Sequence, residues 1–146
     1  MEFWALVVGL ALIAFFVPEI KTWTDRPRPP DPLVHAGGSA FPSGHAAQST
    51  FYSWLAITLA LRIVPGIKRR SAVIAAGIAV TGLVGITRIY LRVHWMSDVT
   101  SGWALGVSCF SAVAVVVLVI TYIRHNPRRH DRVTELDPGA GAGAGH

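Results

Sequence analysis

The chain has 146 residues, 52% of them hydrophobic and 14% charged, with a mean hydropathy of +0.48. A chain of that length could make one small soluble domain, but this composition points to a membrane protein. The net charge of +5 would suggest nucleic acid in a soluble protein; here the basic residues flank apolar segments, so membrane topology accounts for them and no nucleic-acid partner is expected.

Apolar segments near residues 3–18, 46–63, 72–91 and 98–123 approach or exceed the length of about 20 residues needed to cross a bilayer. The expected fold is therefore all-α, an integral membrane bundle of about four transmembrane helices. The first segment is short and N-terminal, but only Glu2 precedes it and no small-residue cleavage pattern stands before Pro18-Glu19. It is expected to be a retained helix rather than a secretory signal.

Residues 19–45 form the next stretch, rich in proline, glycine and charge. Arg26-Pro27-Arg28-Pro29-Pro30 imposes an extended path there. Pro42-Ser43-Gly44-His45 then leads directly into the second apolar run, which makes Ser43 a candidate N-cap. A helix start with free N–H groups favours an anion, and glycine at 44 lets the backbone approach it.

Lys68-Arg69-Arg70 occupy the turn expected between the second and third helices, and Arg124, Arg128, Arg129 and Arg132 follow the fourth. The positive-inside tendency makes both clusters cytoplasmic, with both termini inside and the loops 19–45 and 88–98 outside. Gly102 and Gly106 form a G-x-x-x-G arrangement suited to close helix contact, and small-residue faces of this kind could support a homo-oligomer. Cys109 has no partner in the chain and is read as a small buried apolar residue. Residues 126–146 are polar and end in alternating Gly and Ala, the composition of a disordered cytoplasmic tail.

Three short clusters carry the chemistry: Lys21 with Arg28-Pro29, then Pro42-Ser43-Gly44-His45, then Thr87-Arg88 followed by His94 and Asp98. Lysine supplies a compact charge and arginine a planar fork, so Lys21, Arg28 and Arg88 can neutralise and hold a phosphoryl group. One histidine can attack phosphorus while a second protonates the departing oxygen. The alternative reading of the three cations is snorkelling at the membrane interface. His94 and Asp98 could instead be a metal fragment, but no third ligand stands near and basic surroundings repel a divalent cation, so no metal or other cofactor is expected.

The order and spacing of these residues resemble the type 2 phosphatidic acid phosphatase superfamily, whose motifs read Lys-x6-Arg-Pro, Pro-Ser-Gly-His and Ser-Arg-x5-His-x3-Asp. The match covers roughly residues 21 to 98, with Thr87 in place of the usual serine. The resemblance implies that His94 is the nucleophile of a phosphohistidine intermediate and that Asp98 accepts its other ring N–H. His45 would act as general acid and then general base. Lys21, Arg28, Ser43, Gly44, Thr87 and Arg88 would bind the phosphate.

Family members are mostly six-helix proteins, and this chain resembles the C-terminal four helices of that fold. The implied activity is metal-independent hydrolysis of a membrane lipid phosphate or diphosphate at the outer face of a bacterial membrane. An isoprenoid carrier such as undecaprenyl diphosphate, used in cell-envelope synthesis, is the first expectation and phosphatidate-type lipids the second. A phosphotransferase using the same site and a truncated, non-catalytic membrane protein are the alternatives. Vanadium haloperoxidases share the motifs but are soluble. Among the remaining side chains, His35 could touch a headgroup, Arg26, Asp25, Asp31 and Arg92 read as loop solvation or local ion pairs, and Trp23, Trp95 and Trp103 read as an interfacial aromatic belt.

Overall fold

The computed structural model describes residues 2–125. They form four helices, α1 (Glu2–Thr24), α2 (Gly44–Ile63), α3 (Ile67–Tyr90) and α4 (Met96–His125), and no strand is present among the described residues. The protein is an all-α integral membrane bundle. Three helices, Phe3–Thr24, Ile67–Tyr90 and Met96–His125, are long and apolar enough to cross a bilayer. α2 falls outside that set because its sequence carries His45, Gln48, Ser49, Thr50, Ser53 and Thr58. Its buried residues are Ala46, Ala47, Thr50, Phe51 and Ile57, and of these Phe51, Ile57, Ala46 and Ala47 lie against glycines of the other three helices.

Two boundaries differ from the sequence expectation. α1 continues past Pro18 to Thr24, so Lys21 sits in its last turn and the connecting loop starts at Asp25, not at 19. Proline removes one helical hydrogen bond, but unwinding the chain in hydrocarbon would strand several more groups, so the helix persists. Asp25 then takes a left-handed φ of 36° while its amide donates to the Lys21 carbonyl at 3.1 Å. At the second boundary, Lys68, Arg69 and Arg70 lie in the first turn of α3 instead of the turn before it. Gly66, at φ 79°, completes the reversal after Val64 and Pro65, a conformation open to glycine without steric cost.

α2 is capped by Ser43, whose Oγ accepts from the Ala46 amide at 3.4 Å. α4 is capped from inside its first turn, where Asp98 Oδ2 accepts from the Trp95 amide at 2.8 Å. This is the backward half of a capping box.

The compact unit Met1–Ala114 contains the site and the core, in which Ile13, Ala46, Ala47, Phe51 and Val99 are almost wholly buried. Gly102 and Gly106 let α4 lie directly against the α2 backbone: a Cβ on either would collide with the carbonyl oxygen of Ser43 or Ala47. The G-x-x-x-G face is thus used within the chain and is not free to join a second copy. The second unit, Val115–His146, is described through His125 and shows exposed Val115, Val116, Leu118 and Ile123. The expected cytoplasmic tail at 126–146, with His130 and His146, lies outside the described residues.

Candidate active site

The end of α1, the start of α2, the end of α3 and the start of α4 are joined by hydrogen bonds from the 25–43 loop. At the close of α1, Lys21 Nζ donates to the Ser39 carbonyl oxygen. Arg28 reaches across to the segment before α4, donating from Nη1 to the Val93 carbonyl at 2.6 Å. It also donates to the carbonyls of Gly38 at 3.1 Å and Gly37 at 2.8 Å. Ser43, fully buried, donates its amide to the Asp98 carbonyl at 2.9 Å.

Between these elements lies a cavity of about 440 Å³. Lys21, Arg28, Gly44, His45, Arg88 and His94 line it, together with His35 and Gln48. Of the cations, Arg88 is the least engaged: its Nε is buried and has no hydrogen-bond partner. No carboxylate lines the cavity, so its field is that of two guanidiniums and an ammonium, an arrangement that attracts an oxyanion. A separate apolar cavity of about 230 Å³ lies among Ser53, Ile57, Gly77, Thr81, Trp103 and Val107, and there the buried Trp103 Nε1 lacks a partner. Among the described residues no group of three or more His, Cys, Asp or Glu is placed to hold a metal ion.

His94 is 5% exposed. Burial is the main cause that pushes its pKa down, from 6.5 to about 4. The hydrogen bond to Ala40 works against that shift, nearby Arg28 and Lys21 add to it, and Asp98 opposes them. The ring is therefore neutral near pH 7 and can offer a lone pair.

The family model of the PAP2 superfamily matches residues 2–122. The chain belongs to the PAP2 superfamily. Phosphatidylglycerophosphatase B of Bacillus subtilis (strain 168) is 41% identical over 98 residues, which are 64% of this PAP2 chain and 47% of that protein. The chain thus spans about half the length of that curated relative. Among solved structures, the first transmembrane PAP2 type phosphatidylglycerolphosphate phosphatase from Bacillus subtilis matches with a TM-score of 0.71 and 32% identity. That match covers 81% of this chain and 59% of the other.

The PAP2 motif residues divide into two groups. Lys21, Arg28, Gly44, His45, Arg88 and His94 meet at the cavity. Ser43, Thr87 and Asp98 do not line it. Ser43 Oγ is turned to the helix start as a cap. Thr87 is exposed and donates to the Val84 carbonyl of its own helix at 2.7 Å. Both hydroxyls, expected at the phosphate, are thus engaged with their own helices, and neither residue lines the cavity.

Asp98 differs from its expected contact as well. The His94 Nδ1 proton goes to the Ala40 carbonyl at 2.7 Å, while Asp98 Oδ2 lies 3.7 Å from Nδ1. The buried carboxylate is taken up by Arg26 Nη1 at 2.9 Å and the Trp95 amide at 2.8 Å.

Sequence reasoning therefore missed Arg26, Ala40 and Gln48 and gave His35 no specific role. Gln48 had a signal, being polar in an apolar run and one turn beyond Gly44 and His45. Arg26 had a faint one in its Arg-Pro-Arg-Pro setting. Ala40 had none, because it acts through a main-chain oxygen. Trp95, read as part of an aromatic belt, donates from Nε1 to the Pro27 carbonyl at 3.0 Å and helps to hold the loop.

Proposed function

We propose that this PAP2 protein hydrolyses a membrane lipid phosphate through a phosphohistidine at His94. The observation that carries the proposal is the meeting of Lys21, Arg28, Arg88, His45 and His94 around one cavity, with the Arg88 Nε still unpaired. The cations neutralise the phosphoryl oxygens, whose negative charge otherwise repels a nucleophile. His94 then attacks phosphorus in line. As the N–P bond forms, the P–O bond to the lipid breaks, and His45 gives its proton to the departing oxygen. Water next attacks the phosphohistidine, His45 takes its proton, and phosphate leaves as the N–P bond breaks.

The names of the relatives favour phosphatidylglycerol phosphate or a similar glycerolipid monophosphate as substrate. An isoprenoid diphosphate is the second candidate. The site lies at the end of α3 that carries Arg88, whereas Lys68, Arg69 and Arg70 lie at its start. At about 1.5 Å per residue the helix is long enough to put them on opposite sides of a bilayer. We place the basic end in the cytoplasm and the site outside.

The test is phosphate release by the purified protein in detergent from phosphatidylglycerol phosphate, phosphatidate and undecaprenyl diphosphate, with no acceptor alcohol added. Release that survives a chelator, is blocked by orthovanadate and is lost in His94→Ala supports the reading. A folded protein that releases phosphate from none of these lipids overturns it. Turnover that requires an added alcohol assigns the site to phosphotransfer.

A further inference from the structure

Arg26 lies outside the cavity lining, yet its bonds close a ring around His94. The Arg26 carbonyl accepts from the Ala40 amide at 2.8 Å, and the Ala40 carbonyl accepts from His94 Nδ1 at 2.7 Å. Trp95, the next residue in the chain, donates its amide to Asp98 Oδ2 at 2.8 Å. Asp98 Oδ1 returns to Arg26, accepting from Nη1 at 2.9 Å. The same Nη1 donates to Ser97 Oγ at 2.7 Å, and the Arg26 amide donates to Ser39 Oγ at 3.0 Å.

A carbonyl oxygen only accepts, so the His94 proton sits on Nδ1 and the lone pair on Nε2. The tautomer therefore depends on where the Ala40 carbonyl stands. Arg26 sets that position twice, once through its own carbonyl and once through the guanidinium that ties the loop to the first turn of α4. The Asp98 side chain is fully buried and that of Arg26 is 37% exposed. An exposed ion pair would do little, but removing the guanidinium here leaves a buried carboxylate without its cation, which forces a rearrangement.

We infer that Arg26 is a positioning residue: by clamping the 26–40 loop onto Asp98, it holds His94 as the Nδ1–H tautomer with Nε2 presented to the phosphate cavity. The catalytic consequence rests on the proposed function, whereas the tautomer can be measured without it. A latch that serves folding alone would lower stability and leave the ring state and turnover of the folded fraction unchanged.

The experiment compares wild type, Arg26→Ala and Arg26→Lys in detergent. It reads the ¹⁵N imidazole shifts of His94, assigned with His94→Gln, together with kcat, KM and the single-turnover rate of phosphohistidine formation. In Arg26→Ala the Nδ1–H signature is lost and kcat falls about 100-fold, with KM little changed because Arg26 does not hold the phosphate. Arg26→Lys keeps the tautomer and recovers most of the rate. A folded Arg26→Ala protein with unaltered His94 shifts and kcat overturns the inference, as does a raised KM at constant kcat. If Arg26→Ala does not fold, Asp98→Asn carries the test, and unaltered His94 shifts in that folded variant overturn it. If wild type hydrolyses no lipid phosphate while the tautomer still follows Arg26, the positioning role stands and the proposed function fails.

Discussion

His94 donates from Nδ1 to the carbonyl oxygen of Ala40 at 2.7 Å, a contact between residues 54 positions apart. It holds the ring in place while burial keeps it neutral, with a pKa pushed from 6.5 to about 4. Between those values the unfolded chain binds the proton and the folded chain does not. Stability from this group is therefore complete above about pH 6.5 and declines as pH falls toward 4. Thermal unfolding in detergent across that range should show the decline, and His94→Gln should flatten part of it. Parallel curves for the two proteins would count against a depressed His94 pKa.

Arg28 and Arg88 line one cavity but are expected to fail differently. Arg28 satisfies the carbonyls of Gly37, Gly38 and Val93, so Arg28→Ala strands acceptors and should cost about 1–3 kcal/mol of stability as well as activity. Arg88 Nε has no partner to strand. Arg88→Gln should leave the melting temperature nearly unchanged while weakening substrate binding. Melting curves and Michaelis kinetics on both variants decide the matter, and a larger stability loss for Arg88→Gln would contradict this division.

The role given to His45 depends on the leaving group. His45→Ala should slow hydrolysis of a lipid alkyl phosphate about 100- to 10,000-fold. With p-nitrophenyl phosphate the departing phenolate needs no proton, so the first step should survive and the second should not. Rapid mixing should then give a burst of p-nitrophenol, about one per protein, followed by slow turnover. A wild-type steady rate from His45→Ala on the aryl ester would assign water activation to another group.

Thr87 carries the family motif position but does not line the cavity. Its hydroxyl donates to the Val84 carbonyl on an exposed face, a local back-bond that adds little to helix stability. Thr87→Ala should change stability by no more than about 0.5 kcal/mol and leave kcat close to wild type. A large loss of kcat would place that hydroxyl at the phosphate.

Helix existence was legible because apolar runs of membrane length are bounded by capping residues such as Ser43. Helix ends were less so, because Pro18 and the Lys68–Arg70 run carry local signals that tertiary and lipid surroundings override. The five side chains of Lys21, Arg28, His45, Arg88 and His94 at the cavity could be read from spacing, since their charge and ring nitrogens are the features that spacing records. Thr87 and Arg88 are neighbours on one helix and point about 100° apart; Arg88 lines the cavity and Thr87 does not, which the motif alone does not say. Asp98 was legible as a partner of His94 by its i, i+4 spacing, but Arg26 competes for the carboxylate from 72 residues away. A main-chain acceptor such as Ala40 leaves no trace in residue type.

α2 carries His45 yet is not among the three helices apolar enough to span by composition. The hydroxyls of Ser49, Thr50 and Thr58 bond to carbonyls of their own helix, but the His45 ring and the Gln48 amide would be exposed to hydrocarbon if α2 entered the bilayer alone, at a cost of several kcal/mol for each unsatisfied group. The short connection at Val64, Pro65 and Gly66 joins it to the apolar α3, so during biogenesis the two should insert as one hairpin. His45 then owes its delivery into the membrane to the greasiness of the helix that follows it.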